Sequence, residues 1–389
     1  MQWVIKATKL CNLRCKYCYE WDHLSDPTRM SEEVWKRTFL AIRDYYELSA
    51  KYYGFPIPTD IIWHGGEPLT LPTSYFTSVL KIQNDIFPRE WIDGGHIRNC
   101  MQTNLYSLSD DHLDLLYDHE FDLGVSVDFT SGVRLTAAGR ETEDKVRDNL
   151  RRLKAKGIPY SVITVLARHT VSEVESVFKD FVQFDAPVRL LPLFSGSSAR
   201  PMDGVDISGG DVIDAMFRLF ELWFEAGMAP EIDPFDDGVQ TVTRKKLNLV
   251  CPRQDRKRPA NEVLVIDRDG TLSCAAFRDS RPIGNVAHMT MSEIIRSKEY
   301  QSLIREETQL KEAICNKCSF VGACDTGPIA RNFDSQLLRD CPTEKYLYPK
   351  IEAYLERHDF FDKDFHETAR SMKKTYLQEL MPQSASPPH

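Results

Sequence analysis

The chain has 389 residues, of which 42% are hydrophobic and 28% charged, and its formal net charge is -9 at pH 7. This length can bury one large α/β core and a smaller second domain. The acidic balance argues against a general nucleic-acid binder, which normally presents a basic surface. Since the sequence also has no signal peptide and no apolar run of membrane-spanning length, we expect a cytoplasmic protein without a membrane partner.

Strand-like and helix-like segments alternate from the N-terminus to about residue 230, as in parallel βαβ units. Six strands are predicted at residues 2–8, 59–64, 97–102, 122–127, 160–166 and 188–193. Helical patterns fill the intervals between them. Six such repeats predict an α/β fold, a partial (β/α)6 TIM-like barrel, with its site at the C-terminal ends of the strands.

The pattern changes after a predicted helix at about 210–225. Residues 228–250 are predicted to be irregular, and a β-hairpin is predicted around Asp269-Gly270. Helical patterns follow at about 344–357 and 362–380. The predicted units are a barrel at 1–230, a bridging region at 231–250, a small cysteine-rich domain at 251–345, C-terminal helices at 346–380 and a disordered tail at 381–389.

Three cysteines follow the first strand with C-x3-C-x2-C spacing, at Cys11, Cys15 and Cys18. They can reach one metal centre together, but they leave a tetrahedral site or a cubane one ligand short. A site with an open position binds substrate, water or cofactor at the metal, whereas a structural zinc site is closed by four protein ligands. The alternatives are a zinc knuckle completed by a distant histidine and a chance cluster of cysteines.

This spacing, with Tyr17 directly before the third cysteine, resembles the radical S-adenosylmethionine (SAM) superfamily. The resemblance implies a [4Fe–4S] cluster on the three thiolates, whose open iron chelates the amino and carboxylate groups of SAM. The residues after the second strand, Gly65-Gly66-Glu67-Pro68, match the superfamily's motif for the SAM amino group. Adjacent glycines allow backbone groups to approach a ligand closely. We interpret His64, directly before them, as a packing residue.

Two further strand ends carry residues that the resemblance implies as SAM contacts. Asn104 follows the third strand and either contacts SAM or substrate or caps a turn. Ser126 and Asp128 end the fourth strand and resemble the Ser-x-Asp of the peptide-modifying branch. The Gly-Pro that usually follows is replaced by Phe129-Thr130, so the resemblance does not assign a substrate-binding role to this loop.

The family's SAM-carboxylate arginine is implied at Arg134, with Arg140 as the alternative. Either arginine could instead be a solvated loop charge. Leu193, at the end of the sixth strand, completes the implied SAM contacts.

A second group of cysteines has the spacing C-x2-C-x5-C with one later cysteine. Four thiolates can close a metal site completely, and zinc is the alternative to iron and sulfur here. The group resembles the SPASM domain found behind the radical SAM barrel in peptide maturases, and the Gly270-x3-Cys274 hairpin also matches that domain. The implied ligands of an auxiliary [4Fe–4S] cluster are Cys315, Cys318, Cys324 and Cys341.

Two departures from the SPASM pattern bear on mechanism. Pro328 stands where a further cysteine normally helps to complete another auxiliary cluster, so only Cys251 and Cys274 remain as its candidate ligands. That cluster is therefore absent or completed by unidentified ligands. Sulfatase maturases carry an aspartate base just after the hairpin cysteine, and this position is Ala275 here.

The resemblance implies a radical SAM oxidoreductase that cleaves SAM to a 5′-deoxyadenosyl radical and oxidatively modifies a ribosomal precursor peptide. A crosslink or cyclophane is the expected product, by family analogy alone. Expected partners are the precursor peptide and an electron donor such as flavodoxin or ferredoxin. Since we find no segment ahead of the barrel that could bind a leader, we expect leader recognition to need a separate leader-binding protein or the SPASM region.

The first alternative is a small-molecule radical SAM dehydrogenase or epimerase. An epimerase would need a thiol hydrogen donor, and Cys251 or Cys274 could serve if neither ligates iron. An alternative from another class is a non-catalytic zinc-binding scaffold.

Overall fold

The computed structural model describes residues 1–193, 204–249, 263–274, 281–324, 341 and 344–361. Within this part of the chain, ten strands form one sheet. Their bounds are Gln2–Thr8 (β1), Thr59–Gly65 (β2), Ile97–Thr103 (β3), Asp122–Ser126 (β4), Tyr160–Leu166 (β5), Val188–Pro192 (β6), Ile232–Asp233 (β7), Val263–Ile266 (β8), Thr271–Ser273 (β9) and Pro282–Asn285 (β10).

The sheet order is β10-β9-β8-β1-β2-β3-β4-β5-β6-β7. Neighbouring strands from β1 to β7 pair in parallel, and β8 pairs in parallel with the other side of β1. The six strands β1 to β6 confirm the predicted partial barrel. The carboxyl ends of parallel strands share one edge of a sheet, so the loops that carry the candidate site residues meet there.

Twelve helices occur in the described residues. Their bounds are Glu32–Tyr53 (α1), Thr73–Ile86 (α2), Arg89–Asp93 (α3), Asp110–Asp118 (α4), Glu143–Lys156 (α5), Arg168–Val171 (α6), Val174–Phe184 (α7), Gly209–Glu225 (α8), Phe235–Lys246 (α9), Met291–Arg296 (α10), Lys298–Cys315 (α11) and Glu344–Arg357 (α12). None of them combines the length and the apolar character that crossing a membrane requires.

The core lies between the outer face of the sheet and the helices. Trp63 on β2 packs against Trp35 of α1, with ring centroids 4.5 Å apart, and against Phe76 of α2 at 5.1 Å. All three rings are fully buried. Because strand side chains alternate between faces, Ile62 and His64 point to the other face, towards the barrel interior. The alternation therefore separates a dry packing face from a lumen.

The predicted irregular structure at 228–250 is wrong for residues 228–249, the part that the structure describes. The strand β7 adds to the edge of the barrel sheet, and its Ile232 is paired with Val188 of β6. The helix α9 follows and buries Phe235 and Val242 completely. The prediction failed because a two-residue strand has no readable period and α9 carries few apolar residues.

The predicted hairpin is present as β8 and β9, and it continues the barrel sheet. Gln2 of β1 is the register partner of Val263 of β8. The antiparallel strands β9 and β10 extend the sheet further. The predicted C-terminal helix at 344–357 is confirmed as α12, whereas the second predicted helix at 362–380 and the tail lie outside the described residues.

Candidate functional site

The loop with Cys11, Cys15 and Cys18 follows β1 and is held by backbone hydrogen bonds. The Cys11 amide donates to the carbonyl of Leu24 at 3.0 Å, which draws the two ends of the loop together. The amides of Arg14 and Lys16 donate to carbonyls in the loop after β4, at 2.7 and 3.1 Å. The three thiols therefore lie on a loop fixed at both its neck and its middle.

Gly65 and Gly66 pack directly against the residues that lead into this loop. A Cβ atom on Gly65 would lie 1.9 Å from the carbonyl oxygen of Thr8, and one on Gly66 would lie 2.3 Å from that of Lys9. The Gly66 amide donates to the Thr8 carbonyl at 2.9 Å. The two glycines are therefore required by backbone contact with the cysteine loop. Pro68 begins the 3-10 turn that follows and is buried.

Glu67 uses its buried carboxylate to join the glycine turn to the end of β3. One oxygen accepts hydrogen bonds from the Leu69 amide at 3.0 Å and the Thr103 hydroxyl at 2.7 Å, and the other accepts from the Asn104 amide at 2.7 Å. Burial raises the pKa of Glu67, and these hydrogen bonds oppose that rise. The structure thus places Glu67 as a brace within the protein.

We expect the substitution Glu67→Gln to loosen this brace. An amide has only one acceptor oxygen, so at least one of the three donors would face an NH2 group, at a cost of about 1–3 kcal/mol. Thermal unfolding monitored by circular dichroism measures the loss. The matched control is Glu33→Gln on the exposed face of α1, which should stay within about 0.5 kcal/mol of wild type. Equal stability of both variants would contradict the assignment.

Asn104 contacts the cysteine loop directly. Its side-chain amide donates to Asn12 at 2.9 Å and lies 3.7 Å from the Cys11 sulfur. Its side-chain oxygen accepts from the Tyr106 amide at 3.0 Å, which confirms the turn-capping interpretation. Asn104 therefore lies against the cysteine loop while it caps its own turn.

Asp128 is the centre of a buried polar cluster at the end of β4. Its Oδ2 accepts from the Tyr17 hydroxyl at 2.6 Å and lies 3.3 Å from both Arg134 Nε and His169 Nε2. Its Oδ1 accepts from the Val165 amide at 3.1 Å. One carboxylate thereby joins the cysteine loop, the loop after β4, β5 and α6.

The charges of this cluster favour an ionised carboxylate. Burial alone would raise the pKa of Asp128, but Arg134 and the hydrogen bonds from His169 and Tyr17 hold it below its ordinary value. Burial would lower the pKa of Arg134, but the electrostatic interactions with Tyr17 and Asp128 are stronger and raise this pKa well above its ordinary value. Arg134 is thus a buried cation rather than a solvated loop charge.

Sequence reasoning did not find His169. It lies on the short helix α6, one turn past the end of β5, and its ring stacks on Tyr17 with centroids 6.0 Å apart. Leu193 packs with Tyr17 against a small apolar cluster nearby. The only signal in the sequence was position, because residues that directly follow a barrel strand lie at this edge of the sheet.

Ser126 lies in the barrel interior, next to β3. Its hydroxyl accepts from the side chain of Gln102 at 2.7 Å. Gly124, one alternation earlier on β4, leaves room for Gln102, since a Cβ there would lie 2.3 Å from the Gln102 side-chain oxygen. The structure therefore brings Ser126 to the lumen edge but pairs it with a neighbouring strand.

A second polar cluster on the lumen side joins β1, β2 and the cysteine loop. Lys6 and Glu20 form a buried ion pair, and the Lys6 ammonium lies 5.5 Å from the centre of the Tyr19 ring. His64 is the register partner of Lys6, and its Nδ1 accepts from the Gly65 amide at 2.6 Å. Burial lowers the pKa of His64 to about 4, so its imidazole is neutral at pH 7.

Two of the C-terminal cysteines lie at the end of α11. Cys315 ends that helix, and the Cys318 amide donates to its carbonyl at 2.9 Å. The Cys341 thiol lies 3.2 Å from a Glu344 oxygen, and burial followed by the Glu344 charge raises the pKa of Cys341. Cys274 is buried at the end of β9. The predicted positions Cys251, Ala275 and Pro328 lie outside the described residues.

The donor set of the first loop fits a cationic cluster that takes three thiolates. Burial raises the pKa of Cys11 and of Cys18 to about 12, so thiolates there need the positive charge of bound metal. The Leu13 amide donates to the Cys11 sulfur at 3.4 Å, a contact that tunes iron–sulfur centres. In the described residues no three His, Cys, Asp or Glu side chains are placed to hold one metal ion, whereas a cubane spreads its ligands over separate irons.

Comparison with known families yields two matches. The Radical SAM superfamily model matches residues 5–181, and the model of SPASM, an iron–sulfur cluster-binding domain, matches residues 259–319. A cysteine-type anaerobic sulfatase-maturating enzyme of Clostridium novyi is 21% identical and covers 82% of this chain and 85% of its own length. A serine-type enzyme of Bacteroides thetaiotaomicron is 23% identical, with coverages of 89% and 86%.

Solved structures share the fold. Native anSMEcpe with bound AdoMet and the Cp18Cys peptide has a TM-score of 0.69 at 19% identity and covers 91% of this chain and 95% of its own. Streptococcus suis SuiB bound to the precursor peptide SuiA has a TM-score of 0.55 at 12% identity, with coverages of 84% and 71%. At these identities the likeness concerns the fold alone.

Proposed function

Since this chain is a radical SAM enzyme with a SPASM domain, we propose that it is a maturase that oxidises a peptide or protein substrate. The observation that carries the proposal is the braced three-thiol loop, with Gly65, Gly66 and the Asp128 cluster packed around it. The cofactors are the SAM-binding [4Fe–4S] cluster and auxiliary iron–sulfur centres. When bound, the first cluster and SAM supply a 5′-deoxyadenosyl radical that removes a substrate hydrogen atom.

The residues around the loop divide the work of binding and orientation. Cys11, Cys15 and Cys18 would hold the first cluster. The backbone of the Gly65–Pro68 turn would face the SAM amino group, while Glu67 braces that turn from behind. Arg134, a buried cation, would hold the SAM carboxylate.

The rest of the site would fix the cofactor and exclude water. Tyr17, Asn104, Ser126 and Leu193 lie at the loop or at strand ends and would complete the SAM pocket. Asp128 would act through Arg134 and Tyr17, which it holds in place. The buried lumen would keep water and other hydrogen donors from the radical.

The C-terminal unit would carry the electron released by the substrate. Cys315, Cys318, Cys324 and Cys341 form no disulfide and would supply four thiolates, so the cluster we assign to them would be closed and suited to electron transfer rather than substrate binding. A reduced flavodoxin or ferredoxin is the proposed electron donor. We place the SPASM unit at about 251–345, behind a barrel at about 1–230.

We propose that the oxidation forms a crosslink, such as a cyclophane. Two hydrogens leave the substrate: one as the abstracted atom, the other as a proton and an electron. The sulfatase-maturating relatives favour a second candidate, oxidation of a serine or cysteine side chain in a protein. Ala275 weighs against it, because the aspartate base of such maturases is missing there. A small-molecule dehydrogenase or epimerase remains the alternative with a different substrate class.

We expect anaerobically purified protein to contain about eight iron atoms per chain, from two cubanes, and to release 5′-deoxyadenosine with SAM and dithionite. The Cys15→Ala variant should retain about four iron atoms and release none. The matched control is Cys318→Ala, which should also lose about four iron atoms but still cleave SAM. Iron analysis and chromatography give both readouts. A colourless protein with stoichiometric zinc would overturn every radical SAM assignment, including the proposed function.

The product class needs a peptide assay. Peptides encoded next to the gene should be incubated with the reduced enzyme and SAM, and the products examined by tandem mass spectrometry. A crosslink removes two hydrogens and suppresses fragmentation between the joined residues. Side-chain oxidation of serine gives an aldehyde that an aminooxy reagent captures, so capture would favour the sulfatase-type reaction over our proposal.

A further inference from the structure

The turn between β8 and β9 is a rigid projection from the hairpin. The Gly270 amide donates to the Asp267 carbonyl at 2.9 Å, and the Asp267 amide donates to the Thr271 carbonyl at 2.9 Å. Asn285 of β10 supports the turn from the side, since its amide donates to the Asp269 carbonyl at 3.1 Å. These hydrogen bonds therefore fix the backbone from which the side chains of the turn extend.

Two adjacent side chains of this turn form ion pairs with residues beside the cysteine loop. Asp267 Oδ2 lies 3.0 Å from Lys9 Nζ, and Arg268 Nη2 lies 2.5 Å from Asp26 Oδ2. The charges alternate along the turn: the anion Asp267 faces the cation Lys9, and the cation Arg268 faces the anion Asp26. A shift of the turn by one residue would set like charges against each other. The arrangement therefore specifies one register.

The two partners of the turn flank the neck of the cysteine loop. Lys9 comes two residues before Cys11. Asp26 comes two residues after Leu24, whose carbonyl accepts the Cys11 amide hydrogen at the neck. Opening the cysteine loop requires the two chain segments at its neck, around Lys9 and Asp26, to separate. The turn binds one charge on each of them, so it bridges the neck.

We propose that Asp267 and Arg268 are positioning residues that keep the cysteine loop closed around its cluster; we call these two ion pairs the neck latch. The side chains of the latch are between 16% and 31% exposed, so each pair contributes modestly to global stability. Local opening is governed by the few contacts at the neck, so the latch affects that step directly. The proposal is independent of the substrate.

The latch lies on the same hairpin as Cys274, a candidate ligand of a further auxiliary cluster. Cys274 lies four residues after Gly270 and directly follows β9, the strand that returns from the same turn. The hairpin pairs with β1, which leads into Cys11. A displacement of the hairpin would therefore be transmitted to the neck of the cysteine loop.

The test uses the holoenzyme with three latch variants: Asp267→Lys, Arg268→Glu, and the swap Lys9→Glu with Asp267→Lys. Each single reversal should speed iron release to a chelator roughly two- to fivefold and raise hydrogen exchange at residues 11–18 by a similar factor. The swap should return both rates to within about twofold of wild type, because it restores the pair with opposite polarity. SAM-induced changes in the electron paramagnetic resonance spectrum report whether the open iron is still correctly placed.

The control is Arg281→Glu, which breaks an exposed pair with Glu306 away from the loop. It should leave iron release and exchange unchanged. The proposal is overturned if single reversals match wild type, if the swap fails to rescue, or if Arg281→Glu has the same effect. None of these outcomes depends on a peptide product, so they are separable from failure of the proposed function.

Discussion

Gly66→Ala should abolish the first cluster. The added Cβ would lie 2.3 Å from the Lys9 carbonyl oxygen and 2.4 Å from that of Leu10, distances that side-chain motion cannot relieve because both partners are backbone. The turn and the cysteine loop must therefore separate. We expect about half of the iron to be lost and SAM cleavage to fall by at least about a hundredfold, as ångström-scale misplacement of reacting groups can do.

The measurement combines iron analysis with the rate of 5′-deoxyadenosine release. Gly54→Ala is the control, because no atom lies within 4 Å of the Cβ added there, although Gly54, unlike Gly66, has a positive φ. It should cost about 1 kcal/mol in stability at the end of α1 and leave iron content unchanged. Normal iron in Gly66→Ala would show that the glycines are not required by this contact.

Asp128→Asn should weaken SAM binding by more than about tenfold and destabilise the protein by about 3–5 kcal/mol, since removing one partner of a buried ion pair leaves an uncompensated charge. The stranded charge is Arg134, whose side chain is only 10% exposed. Tyr17 and His169 would also lose a charged acceptor. Calorimetric titration with SAM and denaturant unfolding measure the two effects.

The control is Asp233→Asn, where the ion pair with Arg189 is about half exposed and should contribute little. The pH dependence has a definite sign. Because the pKa of Asp128 is held below its ordinary value, its contribution to stability is complete at neutral pH and is lost as the pH falls through the folded-state pKa. The gap between wild type and Asp128→Asn should therefore narrow only in acid. A constant gap down to pH 3 would contradict this account.

The sequence predicted the local parts of this fold well. The strands β1 and β5 were predicted with the observed bounds, because each is a short apolar run ending at a polar loop. α12 was found for the same kind of reason, its helical period. What failed was β7, since two residues have no period and their pairing with β6 depends on distant chain.

In the candidate site, too, local motifs could be predicted and contacts between distant segments could not. Gly65 and Gly66 could be selected from the sequence because their spacing from the cysteines is a motif. The sequence could not indicate that Glu67 faces three protein donors or that His169 reaches Asp128, since these contacts join separate loops. The ion pair of Lys6 with Glu20 was also missed, because neither residue belongs to a motif. Contacts across the sheet edge require the fold.

The pairing of β1 with β8 constrains how the protein can be made. The first strand leaves the ribosome early, but its partner at Val263 follows 261 residues after Gln2. At roughly 5–20 residues per second, β1 waits on the order of ten to fifty seconds with one edge unpaired. The cysteine loop waits with it, because the neck residues Lys9 and Asp26 find their partners only on the turn after β8. Cluster insertion should therefore be a late, largely post-translational step, and expression at lower temperature with abundant iron–sulfur assembly factors should raise the yield of loaded enzyme.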